Sequence, residues 1–149
     1  MREMGQKRLV NIGSLNCQGL KGKFELPEFI EEISSHEIFG VSEIWLKNSE
    51  VENIEVPGYK FYAKCRQKEK GPTKGGVGIF VKEEERPGIK ILLDISDEYC
   101  IWCKLDHKIY DYNEDIYIGF TYIHCMHPKC PPHPKCHLFV LGIILSLLN

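Results

Sequence analysis

No stretch of this chain is apolar for long enough to cross a bilayer as a helix. The longest such piece, Leu138 to Leu148, runs to under a dozen residues. No membrane partner is expected. Charge of one sign is not in excess either: 19 Lys and Arg face 21 Asp and Glu, for a net charge of -2. Global charge therefore does not recruit nucleic acid. The glycines of Gly75-Gly76-Val77-Gly78 are followed by no Lys-Ser/Thr and by no helix signal, which excludes a phosphate-gripping P-loop. No internal repeat of domain-building size occurs. An apolar leader is missing from the polar start Met1-Arg2-Glu3-Met4-Gly5-Gln6-Lys7, and the seven cysteines are odd in number. Together these predict free thiols in a reducing, intracellular compartment, nucleus or cytoplasm.

What remains is ordinary globular composition, 43% hydrophobic and 27% charged, at a length that favours one domain. Charge is distributed unevenly. Glu25 to Glu55 holds nine acids and one base, Lys47. Lys64 to Lys74 holds five bases, Lys64, Arg66, Lys68, Lys70 and Lys74, against Glu69 alone. A basic loop beside an acidic edge suits a phosphate-bearing polymer; the same run also reads as a solvated loop.

Branched apolar residues predict a strand over Arg8 to Asn16, and the two glycines of Cys17 to Lys23 predict a loop. Leu26, Phe29, Ile30 and Ile33 fall at helical spacing, with Pro27 near the start, so Leu26 to Ser35 is predicted as a helix. Ile38 to Ser42 reads as a short buried strand. Val56-Pro57-Gly58-Tyr59 marks a turn before a strand over Tyr59 to Ala63. Gly75 to Val81 fits a strand that another backbone approaches closely. Ile89 to Ile95 and Tyr99 to Leu105 form a predicted hairpin across Asp97-Glu98, and Ile116 to Ile123 a last strong strand. One helix followed by many strands points to α+β or a layered α/β sandwich.

Two short motifs carry the chemistry. Leu15-Asn16-Cys17-Gln18-Gly19-Leu20 closes the first strand, and Val41-Ser42-Glu43-Ile44-Trp45-Leu46 closes the second. An amide and an acid at the C-terminal tips of two strands can meet at one sheet edge, where open α/β sheets place their ligands. One carboxylate with one amide suits a hard divalent cation such as Mg²⁺, which takes few protein ligands and keeps its waters.

The order of these pieces, strand-LNCQGL, helix, strand-SEIWL, PGY, GGVGIFVK, YIWCKL and then IGFTYI, resembles the endonuclease/exonuclease/phosphatase superfamily. Within it the chain looks most like the endonuclease domain of non-LTR retrotransposon polyproteins, over roughly Lys7 to Ile123. The resemblance implies a four-layered α/β sandwich with two packed, mostly antiparallel sheets, truncated here to its front half. It implies metal-dependent phosphodiester hydrolysis on DNA with Mg²⁺ or Mn²⁺. Residue by residue, it gives Asn16 a place in the metal-phosphate cluster, Glu43 the divalent metal and Tyr122 a contact near the scissile phosphate. The family's later Asp-x-Asn and Ser/Thr-Asp-His motifs have no match after Tyr122, and no Asp follows Asp115. A metal, an oriented water and a proton path are all needed for this hydrolysis. Little or no independent activity is therefore expected.

At His124 the sequence changes character. Cys125 to His137 reads CMHPKCPPHPKCH, whose four prolines forbid helix and central strand. Residues 124–149 are thus expected to be an unrelated Cys/His/Pro-rich and apolar tail with no partner element. Cys125, His127, Cys130, His133, Cys136 and His137 crowd into one stiff stretch, whereas a structural zinc site wants separated ligand pairs. Zinc is not expected there. Cys100 and Cys103 should face opposite sides of their strand. Two other readings stay open: a non-enzymatic interaction fragment whose open sheet edges a protein partner covers, and a zinc-binding tail on a dead scaffold.

Overall fold

A computed structural model describes residues 9–66, 74–124 and 137–145, the last group and 122–124 in backbone alone. The chain opens with β1 (Ile12–Asn16), a short helix α1 (Leu20–Lys23), α2 (Pro27–Ser34) and β2 (Ile38–Ser42). Pro27 starts α2 because its ring presets the helical φ and its missing N–H falls where no intrahelical acceptor exists. Phe29 and Ile33 form the buried stripe of that helix. β1 and β2 pair in parallel, with Ile12 beside Ile38 and Asn16 beside Ser42. The polar connection after β2 holds a 3₁₀ stretch, Asn48–Asn53, and leads to β3 (Tyr59–Lys64). β4 (Val77–Lys82) lies antiparallel between β2 and β3, giving the order β1-β2-β4-β3.

The second sheet is a meander of β5 (Ile89–Ile91), β6 (Cys100–Leu105), β7 (Ile116–His124) and β8 (His137–Leu145), in that order and antiparallel throughout. A one-turn helix α3 (His107–Tyr110) joins β6 to β7, with Asp106 capping it by accepting the Lys108 and Ile109 N–H groups.

The sequences of β2 and β4 are apolar without alternation because both of their faces are buried. Phe39, Val41 and Phe80 pack with Phe29 and Ile33 of α2, with Leu20 and with Phe61. Ile38, Val77, Ile79 and Val81 turn the other way, onto Ile101, Cys103, Leu105, Ile118 and Phe120 of the second sheet. Helix layer, first sheet and second sheet therefore stack in that order, an α/β sandwich with two packed, mostly antiparallel sheets. The sheets approach closely at Gly40, where an added Cβ would lie 2.0 Å from Phe120 Cδ1. Among the described residues no helix is long and apolar enough to cross a membrane.

Several boundaries differ from expectation. Leu9 is exposed, and β1 starts only at Ile12. Leu20–Lys23 is helical, not loop, because buried Leu20 anchors it against the core. Leu93–Ile95 forms a 3₁₀ turn, so only Ile89–Ile91 pairs with β6. The tail piece expected to lack a partner element supplies β8, which pairs with β7 from Ile116–Leu145 to His124–His137. Its apolar run carries no readable period, so the sequence alone does not distinguish a strand from a short helical piece there.

Candidate metal and phosphate site

The parallel pairing of β1 with β2 delivers both C-terminal ends to one edge of the first sheet. Pairing continues past the strands: the Cys17 N–H donates to Ser42 O at 2.8 Å, Gly19 N–H to Glu43 O at 2.8 Å and Leu20 N–H to Ile44 O at 3.0 Å. The segment leading into β4 joins them, since the Trp45 N–H donates to Gly75 O at 3.1 Å. Three stretches distant in sequence are thus tied by backbone bonds around Glu43.

The backbone here is strained. Gln18, Glu43 and Trp45 all sit at positive φ, 47°, 53° and 54°. Among the described residues the fourth non-glycine of this kind is Asp111, the C-cap of α3. A bulky residue in the left-handed region costs about 1–3 kcal/mol, and such costs persist where the surroundings enforce them, characteristically at functional sites. Gly19 (φ 100°) is needed on two counts, because an added Cβ would also come within 2.9 Å of the Trp45 ring.

Asn16 and Ser42, side by side in register, each bury a polar atom without a partner among the described residues. The Asn16 Oδ1 accepts the Gln18 N–H at 3.2 Å, a local turn bond, while its Nδ2 has none. The Ser42 Oγ is likewise unpaired. Leaving such a group buried and unsatisfied costs about 1–3 kcal/mol. Glu43 is 9% exposed. Its Oε2 accepts the Trp45 indole N–H at 2.5 Å. Among the described residues no Lys, Arg or His forms an ion pair with it. A nearly buried carboxylate that pairs with no cation among the described residues and an amide N–H₂ with no acceptor among them are complementary to a cation and an anion. That donor set fits Mg²⁺ or Mn²⁺ with a phosphate: one carboxylate for the metal, and an amide donor for a phosphate oxygen.

The basic residues divide. Lys74 places Nζ 5.7 Å over the Trp45 ring. Lys64 ends β3, with its carbonyl close to Gly76. Arg66 lies along Gly75, its Nε 4.0 Å from Glu98 Oε1 of the β5–β6 connection. Lys68 and Lys70 lie outside the described residues. Tyr122 is described in backbone only, on β7 opposite Phe139. The tail ligand candidates Cys125, His127, Cys130, His133 and Cys136 lie outside the described residues, as does the side chain of His137.

Away from this edge, Asp106, His107 and Asp115 bring their ligand atoms within 4.8 Å of one another. Their bonds are those of a helix start. Asp106 caps α3, and Asp115 Oδ1 accepts both the His107 backbone N–H at 2.9 Å and its Nδ1–H at 2.7 Å. These bonds hold the Asp115 carboxyl below its usual range. Cys103 is buried and Cys100 half-buried on alternate sides of β6. Desolvation pushes the Cys103 thiol up to about 12, and Cys17 likewise to about 12 with a small opposing pull from Lys23.

Sequence reasoning singled out Asn16 and Glu43 but passed over Ser42 and Trp45. Both stand in the same Val41-Ser42-Glu43-Ile44-Trp45 run, so the signal was adjacency to the acid. No protein-family model matches the chain, and no curated protein matches it significantly.

Proposed function

We propose that this chain is a metal-dependent phosphodiesterase domain of the endonuclease type, of retroelement origin, with a partial cation site and little turnover of its own. What supports the reading is one observation above the rest. Among the described residues, a nearly buried Glu43 carboxylate without a cationic partner stands at the end of β2, next to the strand whose last residue, Asn16, buries an amide donor without an acceptor.

In this reading Glu43 holds the divalent cation, with most of the ion's remaining ligands supplied by water. Asn16 Nδ2 donates to a non-bridging phosphate oxygen, and Lys74 draws the polyanion toward the edge. When bound, the cation neutralises phosphate charge and polarises the phosphoryl oxygen. The sequence after Tyr122 offers no Asp-x-Asn and no Ser-Asp-His. In this reading the groups that would orient a water and pass its proton are not supplied by these 149 residues. Residues that act as a unit lose most of their effect when members are missing, which is why turnover is expected to be low.

Thermal melts with and without Mg²⁺ test the cation site. Ligand at one hundred times its dissociation constant stabilises the folded chain by about 2.7 kcal/mol. The purified chain should melt higher in Mg²⁺, and Glu43→Gln should lose that gain. A plasmid-nicking assay in Mg²⁺ tests the turnover. Robust nicking abolished by Glu43→Ala would contradict the low-activity part, and a Glu43→Gln variant that keeps the full Mg²⁺ shift would contradict the site.

A further inference from the structure

Trp45 is built in at a visible cost. It adopts φ 54° two residues after Glu43 at φ 53°, with the fully buried Ile44 between them. No turn chemistry asks for a tryptophan there; a glycine would adopt the same backbone without strain. What the left-handed pair achieves is to fold the chain back so that the indole reaches the carboxylate two residues earlier. The ring itself lies over Gly19, with Lys74 on it, and its backbone N–H is held by Gly75. The indole is thereby fixed by each of the three segments that make the site. Its Nε1–H bonds to Glu43 Oε2 at 2.5 Å, while among the described residues no group donates to Oε1.

Resting on the cation reading above, we propose that Trp45 is a positioning residue. Its indole N–H clamps one oxygen of Glu43 and so presents the other to a divalent cation. A carboxylate on a flexible side chain otherwise loses rotamer freedom when it takes up a metal. A partner that orients a first ligand raises metal affinity, and removing such partners costs about 10–100-fold. The indole suits this role because it donates and cannot accept, so it fixes the carboxylate without competing for the cation.

The chain has two tryptophans, Trp45 and Trp102, and Trp102 packs across Gly119 in the second sheet. Two indole N–H signals in a nitrogen-proton correlation spectrum therefore report the site and a built-in control. Titration with Mg²⁺ should move the Trp45 signal and leave that of Trp102 in place. Manganese affinity should fall about tenfold in Trp45→Phe, which keeps a ring over Gly19 but has no donor, and should be unchanged in Trp102→Phe. A Trp45→Phe chain that binds Mn²⁺ as tightly as the wild type, while Glu43→Gln does not bind it, would overturn the positioning role and leave the cation site standing. A Glu43→Gln chain that binds like the wild type would overturn the cation site itself. Should Trp45→Phe fail to fold, the wild-type spectrum still decides: a Trp45 signal unmoved at saturating Mg²⁺ contradicts the proposal.

Discussion

Asn16 on β1 stands beside Ser42 on β2 in parallel register, and each buries a side-chain polar atom that nothing in the described residues satisfies. Two adjacent orphans are more than local accident, since natural interiors pair the great majority of such groups. Ser42→Ala removes one of them without changing the backbone. In metal-free buffer the variant should hold its stability or gain up to about 1 kcal/mol, because a desolvated hydroxyl is exchanged for a methyl. Urea denaturation checks this, and a loss of more than about 1 kcal/mol would mean that the hydroxyl is satisfied after all.

The closeness of the two sheets at Gly40 makes a second prediction. With an added Cβ only 2.0 Å from Phe120 Cδ1, Gly40→Ala cannot be absorbed by a small rotamer change. Overpacking of this kind costs about 1–3 kcal/mol, and the upper end is expected here. Phe120→Leu in the same chain should recover part of the loss, so that the double variant is less destabilised than the two singles added together. Strict additivity in denaturant midpoints would mean that the sheets do not meet at this pair.

Elements buried on both faces were the most legible in the sequence. Ile38 to Ser42 is read to the residue because its apolar run is bounded by polar Glu37 and Glu43, and α2 to within one residue at each end because Pro27, Phe29 and Ile33 mark start and stripe. The short elements were not. Leu20–Lys23 and His107–Tyr110 span four residues each, too few to establish a period, and depend on one buried side chain apiece, Leu20 and Tyr110. β8 is apolar without alternation, and only pairing with β7 distinguishes it from a short buried helix. At the site, Asn16 and Glu43 were legible as strand-end amide and acid. The left-handed backbone at Glu43 and Trp45 was not, because neither residue type favours it and tertiary bonds from Gly19 and Gly75 impose it.

Acid should weaken the start of α3 through Asp115. Its carboxyl is held below the ordinary value of 3.8, first by the His107 backbone N–H and then by the His107 ring. A group whose folded pKa is depressed stabilises the fold above its unfolded value, and that contribution disappears as pH falls through the folded pKa. Wild type should therefore exceed Asp115→Asn in denaturant midpoint above about pH 4, with the gap closing toward pH 2. A gap that stays constant through that range would contradict the linkage.

Thiol reactivity should separate by burial. Cys17 and Cys103, each raised to about 12, hold almost no thiolate at pH 8 and lie inside the two cores. Iodoacetamide applied to the folded chain at that pH should leave both unmodified, as peptide mass spectrometry would read, and denaturant should expose them. Rapid labelling of Cys103 in the native state would mean that the second sheet does not cover it.

The most direct test of the account is where Mn²⁺ sits. Paramagnetic broadening in a nitrogen-proton spectrum at substoichiometric Mn²⁺ should erase the amides of Cys17, Gly19, Glu43 and Ile44 first and leave those of His107, Lys108 and Asp115 sharp, and in Glu43→Gln both groups should stay sharp. Broadening centred on Asp106, His107 and Asp115, or broadening at the β1–β2 edge that survives Glu43→Gln, would contradict it.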